Sequence, residues 1–356
     1  MTVAENTRVL FNREPKGLPT NDDFKIVKEQ IQLDTVPLKD GEVLVKTLFL
    51  SLDPYMRGRM RVNVASYAAS WQIGQPANGG TVVEVVRSLD PKFVAGDKAL
   101  SFGTWETYTV VAGKSLTKVD APAGIPLSYY LGVLGMPGLT AYAGLLKLGK
   151  PKAGETLYVS SAAGAVGQVV VGSAGSDDKV EFIKTLGYDK AFNYKTINHD
   201  KALETNCPDG IDIYFEQVGG GKFRFWILVL KFCLRARPDP RYSTQPTEML
   251  DSVIMKMNNF GRIPLCGMIS QYNSTGEMYG VKNLIQAVGK RLELHGFIVS
   301  DYSQELQPQF MADMLQWISE KKMVYKEEVA VGLESAPAAF IGMLQGKNFG
   351  KQVVQV

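Results

Sequence analysis

A turn of small residues follows a short apolar run near the middle of the chain, and it carries the most specific chemistry. Residues 157–160 favour a β-strand, and Ala162-Ala-Gly-Ala-Val-Gly167 comes directly after them. This is a G-x-G-x-x-G pattern with alanine in the first place. Small residues there let the backbone turn tightly, approach a pyrophosphate and present N–H groups of a helix N-terminus to it. The pattern predicts a dinucleotide site, although such a turn also occurs for packing alone. The candidate phosphate-binding residues are Gly164, Ala165, Val166 and Gly167.

The residues after the second predicted strand bear on which dinucleotide would bind. That strand, 169–172, runs into Ser173-Ala-Gly-Ser176 without a carboxylate at its end. An acidic residue there would hold a ribose 2′-hydroxyl, whereas a 2′-phosphate needs cations and hydroxyls. Lys179 stands one helical turn further along the chain. The sequence therefore favours NADPH as the cofactor.

Metal chemistry is not expected from this sequence. Zinc sites need clusters of Cys, His and carboxylate ligands. The chain has two histidines, His199 and His295, and three scattered cysteines, with no Cys-x-x-Cys. We interpret both histidines as structural or exposed, and we predict no metal ligand.

The composition is that of an ordinary globular protein. The 356 residues are enough for two domains, with 45% hydrophobic and 21% charged residues. A net charge of +3 is too small to indicate a nucleic acid partner. Three cysteines without paired spacing suit a reducing compartment, residues 1–20 lack a signal peptide, and no run reaches the ~18 apolar residues of a membrane span. We expect a cytoplasmic protein with neither nucleic acid nor membrane as a partner.

The chain changes in character near residue 125. Before it, short β-branched runs bounded by Gly, Asp and Pro predict a small, partly open barrel. After it, alternating strand and helix patterns predict a parallel sheet. The later predicted strands are 191–194, 211–215, 261–267, 291–299 and 350–356, and the predicted helices include 178–186 and 307–321.

Seven stretches that run in order along the whole chain resemble those of a known family. They are residues 50–60, 135–142, 160–167, 175–179, 192–195, 265–273 and 348–351. The most specific motifs are Asp53-Pro-Tyr-Met-Arg57 and Cys266-Gly-Met-Ile-Ser-Gln-Tyr-Asn273. The chain resembles the zinc-independent medium-chain dehydrogenase/reductases. Within these it is most similar to the NADPH-dependent alkenal double-bond reductases, also described as the leukotriene B4 12-hydroxydehydrogenase/prostaglandin reductase family.

The resemblance implies a two-domain α/β protein. A GroES-like β-barrel domain would comprise residues 1–125 and 310–356, and a Rossmann doubly wound parallel sheet would comprise 126–309. It further implies NADPH as cofactor, a small unsaturated carbonyl compound as substrate and a homodimer as the assembly.

The resemblance also implies roles for individual residues. Tyr272 corresponds to the tyrosine beside the nicotinamide and Tyr55 to one that lines the substrate pocket, while Arg57 is either a pocket cation or a structural one. Lys179 and Tyr194 would hold the 2′-phosphate. The other implied cofactor-binding residues are Gln217 (where the family usually has asparagine), Cys266, Gly267, Ser270, Phe297, Val299 and Asn348.

The implied reaction is transfer of a hydride from NADPH to the β-carbon of the unsaturated carbonyl compound. The enolate oxygen then needs a hydrogen-bond donor, and the α-carbon needs a proton. A tyrosine can donate to an oxyanion without becoming a strong competing base, because its pKa is ordinarily about 10. Tyr272 and Tyr55 are therefore the catalytic candidates. Two alternatives stay open: an NADPH quinone reductase of the same superfamily, and a non-catalytic product of a mis-spliced gene.

Two stretches depart from the family pattern. Only eight residues, 161–168, separate the first predicted strand from the next β-like run, whereas a helical crossover needs at least about 10–12. Either 169–171 continues a short helix, or the second strand pairs without a full crossover, so the Rossmann sheet is expected to be incomplete there. Residues 221–247 have no family counterpart and carry six cations against one acid. They represent either a membrane-surface or partner-binding insertion or a retained intron.

Overall fold

The computed structural model describes residues 2–62, 64–163, 171–219, 248–276 and 278–356. The chain divides into two compact units. One comprises Met1–Ala143, Ala163–Val166 and Ile298–Val356, and the other comprises Gly144–Ala162 and Gly167–Phe297. This division assigns 126–143 and 298–309 to the first unit, whereas the sequence-based boundaries had placed them in the second. The physical reason is packing, since Leu139 shares an apolar cluster with Phe310, Met314 and Val353.

The described residues form strands and helices in the following order. The strands are β1 (Val3–Phe11), β2 (Phe24–Gln32), β3 (Glu42–Ser51), β4 (Asn78–Ser88), β5 (Lys98–Thr104), β6 (Tyr108–Ala112), β7 (Thr117–Lys118), β8 (Leu157–Val159), β9 (Val171–Ala174), β10 (Lys190–Asn193), β11 (Ile211–Phe215), β12 (Met257–Leu265), β13 (Glu293–Gly296), β14 (Glu327–Val331) and β15 (Lys351–Gln355). The α-helices are α1 (Met56–Arg59), α2 (Met136–Tyr142), α3 (Asp177–Thr185), α4 (His199–Asn206), α5 (Met249–Lys256), α6 (Gln286–Lys290), α7 (Ser300–Ser319) and α8 (Ala336–Leu344). None of the helices in these ranges is long and apolar enough to cross a membrane.

The first unit is built on a mixed sheet that the C-terminal residues complete. The strand order is β14-β15-β3-β4-β5-β7, with β6 also paired to β3, and β1 and β2 form a separate antiparallel pair. Strand β15 pairs antiparallel with β3 and parallel with β14, so the end of the chain joins two parts of the sheet. An aromatic core lies under it, in which Phe24 stacks on Trp105 with ring centroids 5.8 Å apart and Trp71 meets Trp105 edge-on at 5.4 Å.

The second unit is a six-stranded parallel sheet in the order β10-β9-β8-β11-β12-β13. Numbered from the first strand of the unit, this is the 3-2-1-4-5-6 order of the doubly wound dinucleotide-binding fold. Strand β11 spans the residues predicted for it, and β12 begins earlier than its prediction. The predicted fold class, a GroES-like domain with a Rossmann parallel sheet, is confirmed.

The second strand of this sheet forms despite the short crossover before it. Val171 and Gly172 of β9 pair in parallel with Tyr158 and Val159 of β8. Val171 therefore belongs to the strand, and the alternative that it continues a helix is wrong. The crossover residues 164–170 lie outside the described residues. Residues 221–247 also lie outside them, so both interpretations of that segment, an insertion that binds a membrane surface or a partner and a retained intron, stay open.

Three aromatic rings from β10, β8 and β11 of the parallel sheet are stacked against one another. The Tyr158 ring lies between those of Tyr214 and Phe192, with centroid distances of 5.2 and 6.0 Å. The Tyr158 hydroxyl shares a hydrogen bond of 2.8 Å with the Ser173 hydroxyl. Because a buried hydroxyl needs such a partner, this bond helps to fix β8 against β9.

A buried ion pair anchors the C-terminal strand of the first unit. The Lys351 ammonium donates to Asp53 Oδ1 at 2.8 Å and to the Leu52 carbonyl at 2.7 Å. The Ser51 hydroxyl donates to the other Asp53 oxygen at 2.5 Å. Both charged side chains are almost fully buried, so each charge depends on the other for compensation.

We expect Lys351→Met to lower the free energy of unfolding by about 3–5 kcal/mol, because it leaves the Asp53 carboxylate buried without its cation. The measurement is urea unfolding followed by tryptophan fluorescence, since Trp71 and Trp105 lie in the core of this unit. Lys184→Ala is the control, because Lys184 pairs with Glu181 on an exposed helix surface, and it should cost less than about 0.5–1 kcal/mol. A loss below about 1 kcal/mol for Lys351→Met would contradict the assigned role.

Candidate cofactor and active site

The candidate site of the second unit lies where the strand order reverses, between β8 and β11. In doubly wound sheets, ligands bind in the crevice beyond the carboxyl ends of the strands at this point. Ser160 follows β8 and Gln217 follows β11. The Gln217 side-chain amide donates to the Ser160 carbonyl at 2.9 Å, and its backbone N–H donates to the Ser160 hydroxyl at 3.2 Å. A glutamine in place of the family asparagine thus ties the two strand ends together.

The turn after β12 is hydrogen-bonded to the turn after β11. Cys266 N–H donates to the Glu216 carbonyl at 3.0 Å, and Ser270 N–H donates to the Val218 carbonyl at 3.0 Å. These bonds bring the predicted residues Gln217, Cys266 and Ser270 to one edge of the sheet. Burial raises the pKa of the Cys266 thiol to about 12, so this residue is a neutral thiol.

Tyr272 follows a single turn of 3₁₀-helix, Ile269–Gln271, and it lies against Gly267. A side-chain carbon on Gly267 would stand 3.1 Å from the Tyr272 hydroxyl oxygen. Glycine therefore allows that hydroxyl to approach the backbone at the tip of β12. Phe297 lies beside the same end of β12, because its N–H donates to the Leu265 carbonyl at 3.3 Å.

The two residues predicted to hold a 2′-phosphate follow β9 and β10 in the chain. Lys179 is in the first part of α3, whose N-terminal cap is Ser176. Tyr194 follows β10, and its N–H donates to the Ala174 carbonyl at 3.1 Å. A side-chain carbon on Gly175 would stand 2.8 Å from the Tyr194 hydroxyl oxygen. The absence of a side chain at Gly175 therefore makes room for a hydroxyl beside the end of β9.

Four predicted residues belong to the first unit. Burial raises the pKa of Tyr55, with the nearby Asp53 adding to the rise, so Tyr55 is a neutral hydroxyl. The buried Arg57 guanidinium donates to the Gly17 carbonyl at 2.7 Å, which supports the structural interpretation of that cation. Val299 caps the start of α7.

Asn348, the fourth of these residues, is connected to Ala163 by two hydrogen bonds that share Gly350. Its side-chain amide donates to the Gly350 carbonyl at 2.7 Å, and Gly350 N–H donates to the Ala163 carbonyl at 3.2 Å. Ala163 directly precedes the turn. The turn residues Gly164, Ala165, Val166 and Gly167 lie outside the described residues.

Sequence reasoning missed two residues of the candidate site, Ser160 and Glu216. Ser160 belongs to a family stretch but had no role until its bonds to Gln217 were visible. Glu216 ends the apolar run of β11 and is fully buried. The sequence feature that could have identified Glu216 is an acidic residue directly after an apolar strand, because carboxylates are rarely buried unless their oxygens accept hydrogen bonds or ion pairs. Across the described ranges, no group of three or more His, Cys, Asp or Glu side chains could hold a metal ion.

The strand order and the site at its reversal define a protein of the dinucleotide-binding α/β class. Residues 7–119 match a family described as the N-terminal domain of oxidoreductase. A 2-alkenal reductase (NADP(+)-dependent) from Nicotiana tabacum is 43% identical, covering 99% of this chain and 98% of the relative. Prostaglandin reductase 1 from Rattus norvegicus is 39% identical over 96% of each chain. The crystal structure of CurA in complex with NADPH from Vibrio vulnificus has a TM-score of 0.84 at 37% identity, covering 98% of this chain and 99% of that one.

The chain belongs to the zinc-independent medium-chain dehydrogenase/reductases, in the family of NADPH-dependent alkenal double-bond reductases. The resemblance carried by the sequence motifs is thereby confirmed. The agreement extends over nearly the whole length of the relatives.

Proposed function

We propose that this protein reduces the C=C bond of α,β-unsaturated aldehydes and ketones with NADPH. The observation that carries the proposal is the Tyr272 hydroxyl over Gly267, at the sheet edge where Gln217, Cys266 and Ser270 also meet. A hydroxyl that can donate a hydrogen bond at this edge suits the stabilisation of an oxyanion. The 2-alkenal and prostaglandin reductases among the relatives support this class of reaction.

The described residues fit NADPH. Gly175 leaves space beside the Tyr194 hydroxyl, and Lys179 stands on the helix that begins after β9. Strand β9 and the two residues after it contain no carboxylate, which suits a 2′-phosphate. Lys179 and Tyr194 would hold this phosphate, while the nicotinamide end would be held by Gln217, Cys266, Gly267, Ser270, Phe297, Val299 and Asn348.

When bound, NADPH would supply a hydride for the β-carbon of the substrate, and the α-carbon of the resulting enolate would take a proton from water. Tyr272 would donate a hydrogen bond to the carbonyl oxygen, whose negative charge grows as the β-carbon accepts the hydride. Because this bond is stronger to the oxyanion than to the neutral carbonyl, it lowers the barrier and not merely the free energy of binding. Tyr55 keeps its predicted role as a residue of the substrate pocket.

The experiment follows NADPH oxidation by the purified full chain with 2-hexenal, an enone and a quinone, and identifies the products. We expect the saturated carbonyl compound from 2-hexenal. Tyr272→Phe should lower kcat by about 10²-fold with little change in the KM for NADPH, since one oxyanion donor is lost.

Tyr279→Phe is the matched control, because the Tyr279 hydroxyl has no hydrogen-bond partner among the described residues. It should leave kcat unchanged. Faster turnover of the quinone than of 2-hexenal would favour the quinone reductase alternative. If NADPH neither raises the melting temperature nor is oxidised, the chain is a non-catalytic product.

We expect Lys179→Ala to raise the KM for NADPH by about 10–100-fold, which corresponds to the loss of one hydrogen bond to a charged group. The KM for NADH should not change, because NADH has no 2′-phosphate. Lys184→Ala removes the same charge from the same helix, and Lys184 pairs with Glu181 on the surface, so it serves as the control. Equal effects of the two substitutions on NADPH would contradict the assignment.

We also propose that two copies associate through the β13 edge of the parallel sheet. Strand β13 is the last in the described strand order, and such an edge strand is a template for pairing with another chain. Large apolar side chains stand exposed just before it, with Ile285 at 72% and Val288 at 74%.

The free thiols Cys207 and Cys266 support a cytoplasmic location for this assembly.

The homodimer is tested by light scattering after gel filtration. We expect the native chain to have twice the monomer mass and Ile285→Glu to have the mass of one chain, because a charge there would be buried without a partner. Val94→Glu changes another exposed apolar residue, which belongs to the first unit, and should leave the dimer intact. A monomeric native chain would overturn the proposal.

A further inference from the structure

A fully buried carboxylate lies directly beneath the candidate site. Glu216 follows β11 and has no exposed surface. Its Oε1 accepts the backbone N–H groups of Val218 at 2.5 Å and Gly219 at 2.9 Å. Its Oε2 makes no hydrogen bond of ordinary geometry among the described residues, although the Tyr214 hydroxyl lies close enough to the carboxylate to lower its pKa. An ionised carboxylate in such a place is costly to bury, so its retention calls for a reason beyond packing.

The two N–H groups that Glu216 binds belong to the turn after β11, and this turn is hydrogen-bonded to the turn after β12 that carries Tyr272. The Gln217 carbonyl accepts from Ile269 N–H at 3.1 Å, and the Val218 carbonyl accepts from Ser270 N–H at 3.0 Å. Tyr272 N–H in turn donates to the Ile269 carbonyl at 3.2 Å. A continuous series of bonds therefore leads from the Glu216 carboxylate to Tyr272.

The backbone of Glu216 also makes hydrogen bonds to β12 and to the turn that follows β12. Its N–H donates to the Pro264 carbonyl at 3.0 Å, and its carbonyl accepts from Cys266 N–H at 3.0 Å. The backbone thus fixes where the turns begin. The carboxylate fixes how the turn after β11 folds back, because its Oε1 accepts the N–H groups of both Val218 and Gly219.

We propose that Glu216 is a positioning residue for the reduction, whose ionised carboxylate orients the turn of residues 217–219 and through it the Tyr272 hydroxyl. This inference rests on the proposed function. Glu216 acts through backbone groups and does not touch the reacting atoms. A displacement of such a hydroxyl by even 1 Å can lower a rate by about 10²-fold.

The ionisation of Glu216 falls in a measurable range. Burial raises its pKa to about 6, and the N–H groups of Gly219 and Val218 oppose that rise. The other titratable groups that face it are Tyr158, Tyr214 and Cys266, and burial raises the pKa of each. All three stay neutral near pH 6. None of these three groups would produce a loss of activity near pH 6, and the Glu216→Gln substitution decides whether such a loss belongs to Glu216 or to another group, such as His199, whose ring stacks on Tyr194.

The test compares Glu216→Gln with the native chain. The substitution keeps the shape of the side chain and removes its charge. We expect kcat with 2-hexenal to fall by about 10-fold while the KM for NADPH changes less than twofold, and the acidic limb of the pH profile near pH 6 to disappear. We also expect faster hydrogen exchange of the Ile269 and Ser270 amides, with no fall in melting temperature.

Glu155→Gln is the matched control, because Glu155 lies before β8 at the other end of the strand and pairs with Arg262 at 2.6 Å. It should change neither kcat nor the pH profile. Native kcat, pH profile and amide exchange in Glu216→Gln would overturn the inference. If the native chain itself reduces no alkenal, the proposed function fails, and the amide exchange of residues 269–272 still decides whether Glu216 orients this turn.

Discussion

The second unit depends on the meeting of two strand ends, those of β8 and β11. In a parallel sheet the carboxyl ends of neighbouring strands open at the same edge, and here the next strands lie on either side of this pair, β9 beside β8 and β12 beside β11. The N–H and carbonyl groups beyond the strands lose their ladder partners at this edge. Gln217 and Ser160 satisfy them across the gap. The edge that could hold a dinucleotide is therefore also the edge whose hydrogen bonds must be completed by side chains.

Close approach to the backbone is the second requirement of the site. At Gly175 and Gly267 an added side-chain carbon would meet a tyrosine hydroxyl, that of Tyr194 at 2.8 Å and that of Tyr272 at 3.1 Å. Each glycine thus lets a hydroxyl stand beside a strand end. The positions matter for the space they leave and not for backbone flexibility, since neither glycine has a left-handed backbone conformation.

Agreement between prediction and structure varied from element to element. The apolar run of β11 was predicted with the bounds that it has, because a buried parallel strand is marked by its own composition. Helix α7 was predicted to span residues 307–321. A start at residue 307 would place Pro308 in the first turn of the helix, where proline is favoured. The helix begins at Ser300 instead, with Pro308 inside it. Partly buried residues on both sides of that proline, Leu306 and Met311, pack in one apolar cluster, and this packing outweighs the local preference.

The sequence by itself determined the family, the strand and helix alternation, and the preference for NADPH, because short motifs and the lack of a carboxylate from β9 to Ser176 are local features. The tertiary structure decided which side chains support the site. Lys351 and Asp53 are 298 residues apart, and Gln217 meets Ser160 across 57. The burial of Glu216 likewise results from strands brought together by the sheet. Hydrogen bonds and desolvation depend on neighbours in space, and a linear pattern does not contain those neighbours.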